Sequence, residues 1–176
     1  TLGRLEEAGA GAVVIGSLFE EQIQLERLHL EEDLAVADDL HPEMARIGGP
    51  GVFPRLEHAG PEEPLMWVRR AKESVGVPVI ASLNAVHLET WVEYAARLAE
   101  TGVDGLELNF YATPTEPDEC GAEIEARQAA IVRAVAEKVS LPISVKLSPF
   151  YTNPLHVATS LAQAGARGIV LFNRFF

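Results

Sequence analysis

The chain's last thirteen residues read AGARGIVLFNRFF, Ala164 to Phe176: a small-residue turn, an apolar run, then an asparagine and an arginine. The same phrase occurs twice earlier, as AGAGAVVIGS (Ala8 to Ser17) and TGVDGLELNF (Thr101 to Phe110). Working outward from these repeats, short apolar runs stand at Ala12 to Gly16, Val79 to Leu83, Leu106 to Phe110, Ile143 to Leu147 and Ile169 to Phe172. Helical spacing fills the intervals: Leu88, Trp91, Ala95, Leu98 and Ala99 in one, and Ile124, Ile131, Val132, Val135 and Val139 in another. A further helix is expected from about Glu62 to Val75, ended by Gly76, and another from Asn153–Pro154 to Gly165. Alternating strands and helices of this kind build βαβ units around a parallel sheet.

Strand entrances are of two types. A glycine turn stands at Gly9, Gly102 and Gly165, and a proline at VPV (Val77 to Val79) and LPI (Leu141 to Ile143). This two-step rhythm predicts a (β/α)8 barrel, a TIM barrel, with about five parallel strands visible in this chain, in preference to a doubly wound sheet.

Size and charge narrow the function. With 176 residues and 48% hydrophobic content, residues 1–176 are expected to form a single domain. A net charge of -12 argues against nucleic acid. No apolar run reaches the ~20 residues of a membrane span. One cysteine excludes an internal disulfide and a Cys-cluster metal site, which makes a reducing cytoplasm the expected compartment. The acid is concentrated: residues 18–63 carry 12 Asp and Glu against 3 Lys and Arg. That stretch is expected to be a long βα loop, and such loops lie on the active-site face of a barrel. The chain opens on Thr1 inside a helix-like phrase, as expected of one that begins partway through its gene.

Parallel strands covered on both faces should be apolar on both. Here they are not. In SLPISVKLSP, Ile143, Val145 and Leu147 share one face while Ser144, Lys146 and Ser148 share the other. Ser82 and Asn84 share a face of the second run, and Glu107 and Asn109 a face of the third. Buried polar groups need a partner or a ligand. One reading pairs Lys146 with Glu107 across the barrel. The other takes Asn84, Asn109 and Asn173, all at C-terminal strand ends, as the rim of a site for a polar, phosphorylated or heteroaromatic ligand. No dinucleotide or P-loop glycine motif is present, the five histidines show no metal or triad spacing, and Cys120 reads as a loop residue.

Over VPVIASLNAVHLETWVEYAARLAETGVDGLELNFYATP, LPISVKLSPFYTNPLHVATSLAQAGARGIVLFNRFF, SLFEEQI and LFNRF the sequence resembles the dihydroorotate dehydrogenase superfamily, in its bacterial dihydroorotate dehydrogenase-like branch. The resemblance implies a barrel holding FMN, an oxidoreductase of pyrimidine biosynthesis type, and a small-molecule substrate. It makes Lys146 the lysine beside the flavin's pyrimidine edge and Asn109 the strand-end asparagine that contacts flavin and substrate. Asn173 matches the asparagine ending the sixth strand, and Ser17 and Asn84 line the same pocket. Two departures follow. The family's catalytic Cys or Ser position is Ala112 in NFYATP, and its second asparagine is Pro114; the lysine common near the end of strand two is Gly16. Tyr111 and Thr113 are the remaining acid/base candidates. The resemblance further implies a partial barrel, in which the chain carries strands two to six, with the FMN phosphate loops lying past Phe176 and with Phe175 and Phe176 near the break; the open sheet edges are then expected to be covered by self-association as a homo-oligomer or by complementary segments. A Schiff-base aldolase-like barrel using Lys146, and a non-catalytic interaction protein on the same barrel, stand as alternatives.

Overall fold

The computed structural model of the chain describes residues 2–21, 23–25, 62–111, 114 and 116–173. Ala112, Thr113, Phe175, Phe176 and most of the acidic stretch lie outside the described residues. In chain order the elements are α1 (Leu2–Glu7), β1 (Val13–Phe19), α2 (Glu62–Ser74), β2 (Val79–Asn84), α3 (Leu88–Ala99), β3 (Gly105–Asn109), α4 (Gly121–Lys138), β4 (Ile143–Leu147), α5 (Pro154–Ala164) and β5 (Gly168–Leu171).

All four strand pairings are parallel, and the sheet order is β1-β2-β3-β4-β5. A doubly wound sheet reverses its strand order partway, which carries its helices to both faces. Here each strand lies beside its predecessor, so successive right-handed crossovers put the helices on one side. The result is the arrangement of part of a (β/α)8 barrel. On the convex face Val79, Ala81, Leu83, Leu106, Leu108, Ile143, Val145 and Leu147 are buried against Trp91, Tyr94, Leu98, Val132, Val135 and Leu161 of the helices. The other face of each strand is concave, and its C-terminal half carries the polar residues.

The three entrance glycines have φ of 93° at Gly9, 86° at Gly102 and 123° at Gly165, left-handed backbone that other residues adopt only with strain. Asn153 caps α5, its Oδ1 accepting from the His156 N–H at 3.2 Å, with Pro154 in the first turn.

Several boundaries differ from those expected. β1 continues through Gly16 and Ser17 to Phe19, with a register shift between Ile15 and Leu18. Leu18 and Phe19 therefore belong to a strand, and Glu62 and Glu63 to α2, rather than to the acidic loop. β3 ends at Asn109 and β5 at Leu171, leaving Phe110 and Phe172 just past their strands. In α3 Tyr94 is buried while Leu88 is exposed, because the covered stripe is centred on Trp91, Tyr94, Ala95 and Leu98. Cys120 stands directly before α4, and its backbone N–H is bound by the Glu123 carboxylate at 3.0 Å.

Candidate functional site

The five residues expected to line the site are brought together at the C-terminal end of the sheet. Register explains the convergence. Ser82 is opposite Glu107 and Asn109 is opposite Lys146, so their side chains emerge side by side on the concave face. Asn84 ends β2 and donates from Nδ2 to the Asn109 carbonyl at 2.7 Å. The irregularity between Ile15 and Leu18 lets Ser17 join the same face although it stands two residues after Ile15. Its hydroxyl lies 2.8 Å from that of Ser82 and accepts from Asn109 Nδ2 at 3.1 Å. Asn173 is held by its own backbone, which donates to the Leu147 carbonyl at 2.8 Å, and its Nδ2 donates to Asn109 Oδ1 at 2.7 Å.

Lys146 is paired with Glu107, Nζ to Oε1 at 2.6 Å. The pair joins neighbouring strands instead of spanning the barrel. Glu107 is 3% exposed, and the same Oε1 also accepts from the Ser82 hydroxyl at 2.9 Å. The Lys146 side chain keeps 23% exposure, so its ammonium sits at the boundary between network and solvent. Glu107 and Ser82 complete the site. Their place on the polar face was readable from the two-residue period, but their role as the buried centre of the network was not.

Among the described residues, Lys146 uses one of its three N–H donors on protein, and no protein group binds Oδ1 of Asn84 or of Asn173. The mouth thus offers a cationic donor together with two amide acceptors. That donor set suits the edge of a flat heteroaromatic ring in which carbonyls alternate with an N–H, so the residues present fit a flavin.

A second polar cluster stands beside it. The Glu20 carboxylate, buried at the end of β1, accepts from the Val86 N–H at 2.5 Å, the His87 N–H at 3.1 Å, His87 Nδ1 at 2.6 Å and the Thr90 hydroxyl at 3.3 Å. It caps α3 from another element. Burial pushes its carboxyl up, but the Val86 and His87 hydrogen bonds outweigh this and hold it below the usual range; the same carboxylate raises His87. Sequence reasoning missed this clamp, since nothing marks Glu20 among its acidic neighbours.

Two grooves flank the network. One of about 340 Å³ is lined mainly by Phe110, Tyr111, Ile124, Phe150 and Tyr151. The other, of about 410 Å³, is lined by residues that include Asn84, Trp91, Tyr111, Glu116 and Arg127. Tyr111 borders both and is 48% exposed. Of the candidate site residues, Asn84 lines a groove, while Lys146, Asn109, Asn173 and Ser17 line neither. Among the described residues no cluster of His, Cys, Asp or Glu could hold a metal ion, and no helix is long and apolar enough to cross a membrane.

No family model matches the chain. The chain is 33% identical over 113 residues to the catalytic subunit of dihydroorotate dehydrogenase B (NAD(+)) of Anoxybacillus flavithermus, a match covering 63% of this chain and 35% of that protein. It is 34% identical over 116 residues to dihydroorotate dehydrogenase A (fumarate) of Lacticaseibacillus paracasei, covering 64% and 39%. The chain thus spans between a third and two fifths of the length of these curated relatives. Among solved structures, dihydrodipicolinate synthase DapA-2 of Bacillus anthracis aligns with a TM-score of 0.50 at 15% identity, covering 97% of this chain and 61% of that one. A likeness at that identity shows the fold alone.

Proposed function

We propose that this chain, whose curated relatives are dihydroorotate dehydrogenases, forms part of an FMN-dependent oxidoreductase of that type. It would act on a small-molecule substrate in the cytoplasm, with dihydroorotate a poor one. The observation that carries the reading is the mouth of the polar network, where Lys146, Asn84 and Asn173 keep unused hydrogen-bonding groups of complementary kinds. FMN, when bound, supplies hydride acceptance and return.

The chain's own residues have three tasks. Lys146, steadied by Glu107, would supply a fixed positive charge to offset negative charge on the reduced group. Asn84, Asn109 and Asn173 orient the ligand through amides that are themselves held by hydrogen bonds. Tyr111, which borders both grooves, is a candidate acid/base, whereas Ala112, at the position that the family resemblance makes the base, can accept no proton. A Schiff-base role would require Lys146 to leave its 2.6 Å contact before attacking a carbonyl.

The test is the absorption spectrum of the full-length protein, purified with and without added FMN. Uptake of a yellow chromophore that denaturation releases supports the reading. A colourless protein that takes up no FMN overturns it, as does borohydride trapping of a carbonyl compound on Lys146. Dihydroorotate turnover is expected to fall ~10²–10⁴-fold below that of an enzyme with a positioned base; comparable turnover would show that another group has taken over the proton transfer.

A further inference from the structure

We propose that Glu107 is a positioning residue whose carboxylate sets the direction of a hydrogen-bond chain joining β1 to β4 and the segment after β5, and so fixes which way the amides of Asn109 and Asn173 face a ligand. The proposal rests on the flavin reading of the same mouth. It follows from donor arithmetic. A carboxylate only accepts, so Ser82 spends its one hydrogen on Glu107 at 2.9 Å. The 2.8 Å contact between Ser82 and Ser17 must then be donated by Ser17. With its own hydrogen spent, Ser17 can only accept, and it does so from Asn109 Nδ2 at 3.1 Å. Asn109 therefore turns Oδ1 the other way, where it accepts from Asn173 Nδ2 at 2.7 Å.

Every donor runs toward one buried carboxylate: from Asn173 after β5, through Asn109 on β3, Ser17 on β1 and Ser82 on β2, with Lys146 on β4 arriving at the same oxygen. Such chains strengthen cooperatively, and Glu107 at 3% exposure has little water competing for it. The orientation leaves Asn173 with a free Oδ1, an acceptor, at one end of the chain, and Lys146 with free donors at the other. A neutral amide at position 107 would remove this direction, because it can donate to Ser82 and allow the whole chain to run backwards.

Glu107→Gln and Ser82→Ala test the idea, the second leaving the Lys146–Glu107 pair in place. Hydrogen exchange of the Asn109 and Asn173 side-chain amides, followed by NMR without ligand, is expected to be slow in the wild type and at least ~10-fold faster in both variants, with β3 backbone protection kept. FMN affinity, read by fluorescence quenching, is expected to weaken roughly 10–100-fold in both. Side-chain protection and affinity within about twofold of wild type in both variants would overturn the proposal. Wild-type protein that binds no FMN while its amide signals respond as expected would sink the flavin reading and leave the role of Glu107 standing.

Discussion

Lys146→Ala separates the two roles its contacts allow. Its ammonium keeps 23% exposure, but the Glu107 carboxylate it neutralises is buried, so removing the lysine also carries a cost in stability. In the full-length protein the expected outcome is weaker flavin binding or slower flavin reduction, an effect larger than the fall in stability. Normal flavin behaviour with a large fall in melting temperature would make the lysine structural. The position of Lys146 was legible because a charge on one face of an otherwise apolar strand breaks a strong rule. Asn84 and Asn109 were marked the same way. Asn173 was marked by its place at the end of the last apolar run, whereas Ser17 needed the family resemblance, because a serine after a glycine is an ordinary turn residue. Glu20 could not be found, because it is one of 12 acidic residues in its stretch and binds an element some 66 positions away.

The elements carry two further expectations. Gly165 closes α5 at φ 123°, and a Cβ there would lie 2.8 Å from Ala136 Cβ of α4. Gly102, at φ 86°, has nothing within 4 Å. Chemical denaturation should therefore show Gly165→Ala costing roughly 2–4 kcal/mol and Gly102→Ala about 1–2 kcal/mol; equal costs would refute the close approach of α4 and α5. The Glu20–His87 clamp gives a pH window. His87 is raised, so its contribution is complete below its ordinary 6.5 and fades as pH climbs through its folded value. Glu20 is lowered, so its contribution is complete above 4.5 and fades as pH falls through its folded value. The clamp is strongest from about pH 4.5 to 6.5, where wild type should exceed His87→Ala most in melting temperature. A difference independent of pH would contradict this, with Glu89 the other charge acting on His87. Turn glycines and the Asn153–Pro154 start were legible because their causes are local. The extension of β1 past Gly16 to Phe19 was not, because pairing with β2 on either side overrides the local preference of a Gly-Ser pair for a turn.

At the scale of the molecule, alternation of strand and helix predicted a parallel sheet, the two types of strand entrance pointed to a barrel arrangement, and the sequential strand order among the described residues bears it out. Among the described residues β1 and β5 each pair on one side alone, and Val14 and Leu171 are 53% and 60% exposed. Edges of that kind favour association. The chain alone is therefore expected to show a concentration-dependent mass by light scattering; a mass that stays monomeric at all concentrations would count against it. Strand order also carries a temporal consequence. Ile80 meets Gly105 only 25 positions on, and Ser144 meets Gly168 after 24, but Val13 meets Val79 across 66. Closing the longest span costs roughly 0.9 kcal/mol more than closing the shorter ones. Refolding should thus assemble β2 to β5 first and admit β1 last, with pulse-labelled amides of β3 protected before those of β1; simultaneous protection would exclude this order. Since Ser17 arrives with β1, the hydrogen-bond relay would remain open until the final step, making the site a reporter of finished folding.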